Sequence, residues 1–163
     1  MTAWLNDDEM QAWKAFLRAS ARLLERLDAE LETRFRMSLA DYEILHYLAA
    51  APSGELRMTE LAEETLVSRS GLTRRLDRLV ESGLVARRNC ATDRRGVLAV
   101  ITPVGRERLE AAAPLHVEGV RRHFIEQLGG QDLGALADSL EAVVASSEER
   151  PTVGAPNGPA AVR

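Results

Sequence analysis

The stretch LRMTELAEETLVSRSGLTRRLDRLVESGLVARRNCATDRRGVLAVIT, Leu56 to Thr102, decides the fold. It reads as a short helix from about Thr59 to Thr65, a second from Ser68 to Ser82, and two strands near Leu84 to Arg88 and Val97 to Ile101. The strands flank a tip, Ala91-Thr92-Asp93-Arg94-Arg95-Gly96, and Leu56-Arg57 offers a minimal third strand. Leu72, Leu76, Leu79 and Val80 recur at helical spacing, which buries one stripe and turns Arg69, Ser70, Thr73, Arg74, Asp77 and Arg78 outward. A half-buried helix fronted by small polar residues and arginines suits a duplex major groove. An arginine-tipped hairpin after it suits the adjacent minor groove or the phosphates. The pattern predicts a winged helix-turn-helix core that binds double-stranded DNA.

Within that core the roles divide by position. The helix start near Ser68 offers free N–H groups to a phosphate. Ser70, Thr73 and Arg74 project from the first turns toward base edges, and Arg69 and Arg78 toward the backbone. Arg75 lies nearer the buried stripe. In the wing, Arg94 and Arg95 are contact candidates.

Working outward, helix starts are well marked. Asn6-x-x-Glu9 has the form of a capping box with Leu5 and Met10 as a staple; Ser38-x-x-Asp41 repeats it with Met37 and Tyr42. Thr102-Pro103 opens a long helix, Pro114 inside it is expected to kink it, and Gly129-Gly130 closes it. A last helix is predicted from Asp132 to Ser147. The tail 151–163, with three prolines and two glycines in its first nine residues, is predicted to be disordered. Leu17, Leu24, Leu27 and Leu31 form an apolar stripe on the first helix. Val117, Val120, Phe124 and Leu128, then Leu133, Leu136, Leu140 and Val143, do so on the last two. One small winged core cannot cover three such stripes, which predicts a partner chain and a homodimer. The expected architecture is mainly α with a small β-wing. A single domain over 1–150 would comprise dimerisation helices at about 6–35 and 103–149 and a winged helix-turn-helix at about 38–102.

Charge supports the same partner. The chain of 163 residues carries a net charge of −4, but Thr65 to Arg108 holds ten arginines against four acidic residues. That stretch is therefore +6, and the remainder carries −10. Such segregation aims one face at a polyanion. No apolar run is long enough for a bilayer and the first nine residues are acidic, so a cytoplasmic location without membrane association is expected. A single cysteine, Cys90, leaves no disulfide framework or cysteine metal cluster. His116 and His123 stand seven apart, too far along a helix to share one ion, so no metal is predicted. No nucleophile elbow or phosphate-binding glycine loop occurs, so neither catalysis nor a cofactor is expected.

Leu61-Ala62, Thr73-Arg74-x-Leu76-Asp77-x-Leu79, Gly83-Leu84-Val85, Asp93-Arg94-Arg95-Gly96 and Leu98-x-Val100-Ile101-Thr102-x-x-Gly105 together resemble the multiple-antibiotic-resistance regulator (MarR) family. The likeness in layout runs from roughly Asn6 to Arg150. It implies a two-fold dimer through the terminal helices, with Arg95 entering the minor groove and Asp93 bracing the wing. It also implies a repressor released from a pseudo-palindromic operator by a small aromatic or lipophilic ligand. Trp13 and Phe16, with Tyr42 and His46 one turn apart, are the candidates to line that ligand's crevice; core packing is the competing reading of all four. Cys90, beside Arg87, Arg88, Arg94 and Arg95, offers a redox switch as the alternative, since nearby cations favour a thiolate. Peroxide-sensing members usually carry their cysteine in the first helix, which has none here. A protein-interaction module that has lost DNA binding is the remaining alternative.

Overall fold

The computed structural model describes residues 4–65, 69–89 and 96–148. The expectations on Ser68, Cys90, Asp93, Arg94, Arg95, the Arg69 side chain and the tail 151–163 lie outside the described residues. The described elements are α1 (Asp7–Phe35), α2 (Leu39–Ala50), β1 (Glu55–Arg57), α3 (Met58–Glu64), α4 (Arg69–Glu81), β2 (Val85–Asn89), β3 (Val97–Ile101), α5 (Pro103–Val120) and α6 (Leu133–Glu148). Between α5 and α6 the chain continues as a π-turn, Arg121–Ile125, and a 3-10 turn, Glu126–Leu128. The chain divides into two compact units, 1–127 and 128–163.

In the first unit α2 is the hub. Leu39, Tyr42, Ile44, Leu45 and Leu48 are all buried, so most of its circumference faces protein. Around it close Leu27 and Leu31 of α1, Leu61 of α3, Leu72, Leu76 and Leu79 of α4, and Leu109 and Ala112 of α5. The three strands form an antiparallel sheet in the order β1-β3-β2. Central β3 turns Ala99 and Ile101 inward, and Ile101 pairs across from buried Val85. After Val85 every residue of β2 is exposed, so the hairpin leaves the core as it runs toward its tip. All three strands fall within one residue of their sequence expectation.

The helix caps follow the chemistry of their sequences. Asn6 accepts from the Glu9 N–H (2.9 Å) while Glu9 accepts from Asn6 (2.8 Å). Ser38 caps α2, and Thr102 caps α5 with Pro103 next to it. Leu5 is half exposed, however, whereas Met37 and Tyr42 are buried, so only the second apolar pair is packed. Helix α3 starts one residue before the expected Thr59 cap. Arg57 is held extended by its pairing with Leu98, and Glu60 accepts from the Arg57 N–H at 2.8 Å.

Two glycines fix the junction of α4, wing and α5. Gly83 (φ 73°) takes the left-handed turn that ends α4, with its N–H on the Val80 carbonyl and the Leu84 N–H on the Leu79 carbonyl. Gly105 sits so close to the Leu84 carbonyl that a Cβ there would lie 2.1 Å from its oxygen. Between them the Thr102 hydroxyl donates to the Gly83 carbonyl (2.7 Å) and accepts the Gly105 N–H (3.0 Å).

Helix α5 runs antiparallel to the second half of α1. Gly119 lies against Leu27, His123 pairs with Glu30 (2.7 Å), and Arg108 donates to the Phe35 carbonyl while covering the Phe35 ring. Helix α5 continues in α-helical winding through Pro114, and the change of winding falls at Arg121. Both Pro114 and Glu110, whose carbonyl loses its donor, are exposed, so water can replace the missing bond. The predicted long helix changes winding after Val120 but stays helical to Leu128, where Gly129 (φ 59°) and Gly130 (φ 85°) end it as expected. In the second unit α6 is capped by Asp132, whose carboxylate accepts from the Gly134 and Ala135 N–H groups at 3.0 and 3.2 Å. Its Leu133, Leu140, Val143 and Val144 are exposed. Among the described residues no helix is long and apolar enough to cross a membrane.

Candidate nucleic-acid interface

Helix α4 is divided as its periodicity predicts. Leu72, Leu76 and Leu79 are at most 4% exposed and anchor it to the core, while Ser70, Thr73, Arg74 and Arg78 are exposed. Arg74 and Arg78, one turn apart, present two guanidinium groups along the same outward edge. No carboxylate among the described residues pairs with either. They sit where a polyanion or a base edge can be met without first breaking an ion pair.

The other arginines of the basic stretch are placed differently. Arg75 turns inward to Ser38 (2.8 Å) and Asp41 (3.2 Å). Arg87 of β2 binds Asp77 of α4 at 2.7 Å, and Arg88 binds Glu55 of β1. Arg108 is held at Phe35. Four of the ten arginines thus brace the scaffold, so the count of +6 overstates the charge offered outward. Sequence misses these roles because their partners lie on other elements: Asp41 is 34 positions from Arg75, and Glu55 is 33 from Arg88. Asp77, expected merely to face outward, ties the wing to the helix that precedes it.

The Asp77–Arg87 pair is 48% and 37% exposed, so solvent screens most of its attraction. Asp77→Ala is accordingly expected to change the unfolding free energy by no more than about 1 kcal/mol in a urea titration. A loss well above that would show that the pair fastens the fold rather than orients the wing.

The four aromatic candidates form two groups in one chain. Trp13 and Phe16 stack on each other (centroids 6.4 Å apart) and are 50% and 46% exposed. Tyr42 stacks on His46 (6.3 Å) and packs closely against His116 of α5 (4.4 Å) with the rings tilted by 35°. Trp13 lies fourteen residues, about 21 Å of helix, from Leu27, which packs level with the Gly119 turn beside His116. His116 is therefore a neighbour of Tyr42 and His46. It also borders an open crevice of about 410 Å³ with Val117, Val120, Arg121 and Ile125. His123 is largely covered and paired with Glu30.

Burial, and then the neighbouring His46, hold His116 below the usual histidine range, and its Nδ1 is buried without a hydrogen-bond partner among the described residues. The folded state resists a proton that the unfolded chain accepts. The resulting stability is present in full above about pH 6.5 and is lost as pH falls from there through the lowered folded value. Thermal midpoints of the wild type and His116→Phe should therefore converge, or cross, as pH falls through that window. Parallel curves would show that His116 does not titrate with folding.

Among the described residues no group of three or more histidine, cysteine, aspartate or glutamate side chains could hold a metal ion. What the fold presents is a half-buried, arginine-fronted helix followed by an antiparallel wing. This is the class of winged helix-turn-helix proteins. The MarR family profile matches residues 37–96. AbsC, a MarR family transcriptional regulator from Streptomyces coelicolor, is similar over 91% of this chain and 100% of its own, at 38% identity and a TM-score of 0.85. Sco3205, a MarR family transcriptional regulator from the same organism solved in complex with DNA, is similar over 91% of this chain and 96% of its own, at 33% identity and a TM-score of 0.84. The HTH-type transcriptional repressor YetL of Bacillus subtilis (strain 168) is 35% identical over 108 residues, 64% of this chain and 65% of YetL, which is just under two thirds of that relative's length. The chain belongs to the MarR family of transcriptional regulators.

Proposed function

We propose that the protein is a homodimeric repressor, acting in the cytoplasm, that recognises a pseudo-palindromic operator in double-stranded DNA. The observation that carries this reading is the outward edge of α4, where Arg74 and Arg78 stand exposed on a helix locked to the core by three leucines. The complex of Sco3205 with DNA and the repressor YetL support it by similarity. Ser70, Thr73 and Arg74 read base edges, Ser68, Arg69 and Arg78 hold phosphates, and Arg94 and Arg95 extend the interface from the wing with Asp93 as brace. Residues 1–150 act as one regulatory domain. The partner chain covers the apolar side chains left exposed in each unit: Trp13, Phe16, Leu17 and Val117 in the first, and Leu140 and Val143 in the second.

Release by a small aromatic or lipophilic ligand fits the aromatic groups. Because Trp13–Phe16 and Tyr42–His46 lie apart in one chain, a single crevice holding all four requires both protomers. Such a ligand releases DNA only to the extent that it prefers a dimer whose helix spacing mismatches the operator.

Retention on a duplex of arbitrary sequence, measured across a salt series, tests the DNA reading against an interaction module. Binding is expected to weaken steeply with salt, and Arg78→Ala to flatten the log–log slope by about one for each phosphate that is no longer neutralised. Retention that ignores salt, or none at low salt, would contradict it.

A further inference from the structure

Arg75 is the one arginine of α4 whose described partners all belong to another helix. Its guanidinium donates to Ser38 Oγ (2.8 Å) and pairs with Asp41 Oδ1 (3.2 Å), and the pair is only 29% and 18% exposed. Ser38 is the cap of α2, its hydroxyl accepting the Asp41 N–H at 3.1 Å. On the same turn Asp28 of α1 accepts the Leu39 N–H at 2.8 Å. Three helices are thus tied at one point: α1 through Asp28, α2 through Ser38 and Asp41, and α4 through Arg75. Glu43, further along α2, also feels the guanidinium, which opposes the upward push that burial gives its carboxyl.

Leu72, Leu76, Leu79 and Val80 pack α4 against the core, and burial of such side chains is non-directional and tolerates small slides and rotations. Charge-assisted hydrogen bonds are directional and fix an angle. The geometry points to Arg75 as a positioning residue that sets the pitch and distance of α4 relative to α1, and through them the half-site spacing that the dimer accepts. This inference rests on the dimeric, two-half-site reading above. Arg75 touches no base in it: Arg74 reads sequence, and Arg75 sets where the reading occurs.

The test measures the full-length chain on its selected operator and on duplexes whose centre is one or two base pairs longer or shorter. The readout is the ratio of affinities between the preferred and the altered spacings. Arg75→Met keeps the apolar stem and removes the donors; it should shrink that ratio about tenfold, with base preference inside each half-site unchanged. Arg75→Lys should recover part of the discrimination, and Asp28→Ala, cutting the other side of the same joint, should relax it as Arg75→Met does. If Arg75→Met does not fold, Asp41→Asn, which removes the ion pair alone, should shrink the ratio in the same direction. A uniform loss of affinity at every spacing, with the ratio intact, overturns the inference and makes Arg75 a stabilising or phosphate-binding residue. A wild-type chain with no spacing preference overturns the two-half-site reading itself, an outcome visible before any variant is measured.

Discussion

Gly105→Ala should destabilise the protein by about 3 kcal/mol, the upper end for forcing one methyl group into a packed site. The added Cβ would lie 2.1 Å from the Leu84 oxygen and 3.0 Å from its carbon, and neither can swing aside as a flexible side chain would. Leu84 is pinned by its own N–H on Leu79 and by its carbonyl, which accepts the Thr102 N–H, while Ile101 crowds the third side. Relief would have to open the joint where α4, β3 and α5 meet. The unfolding midpoint in urea, compared with the wild type at equal slope, reads the loss. A change below about 1 kcal/mol would show that this joint opens freely.

The second large effect concerns DNA. Arg74→Ala should remove about 1–3 kcal/mol of discrimination per half-site, hence roughly 2–6 kcal/mol for a dimer in which both copies of the arginine are gone. Preference should relax at one base pair in each half-site. An unchanged sequence preference with weaker overall binding would move Arg74 from the base edge to the phosphate backbone.

Much of the fold is legible in the sequence, and the limits have physical causes. Local features read well because their determinants are local. The Leu72, Leu76 and Leu79 stripe, the Asn6 and Ser38 caps and the strands around the wing each depend on residues within about one or two helical turns. Sequence misses whatever depends on two distant elements meeting. Arg75, Arg87 and Arg88 count there as charge for a polyanion, whereas in the fold Asp41, Asp77 and Glu55 face them. Nothing in the sequence of its own helix shows that His116 packs against Tyr42 of α2. At Pro114 the cost of the missing bond depends on whether water reaches the carbonyl of Glu110, an exposed residue, and the helix's own sequence does not show that.

The central claim is that two copies of α4 read two half-sites of one operator. Selection of bound duplexes from a randomised pool by the full-length chain tests it most directly. The expected product is an inverted repeat whose half-site centres lie one helical turn, roughly 34 Å, apart on one face of the duplex. Enrichment of an unrepeated site, or of no sequence at all, would contradict it.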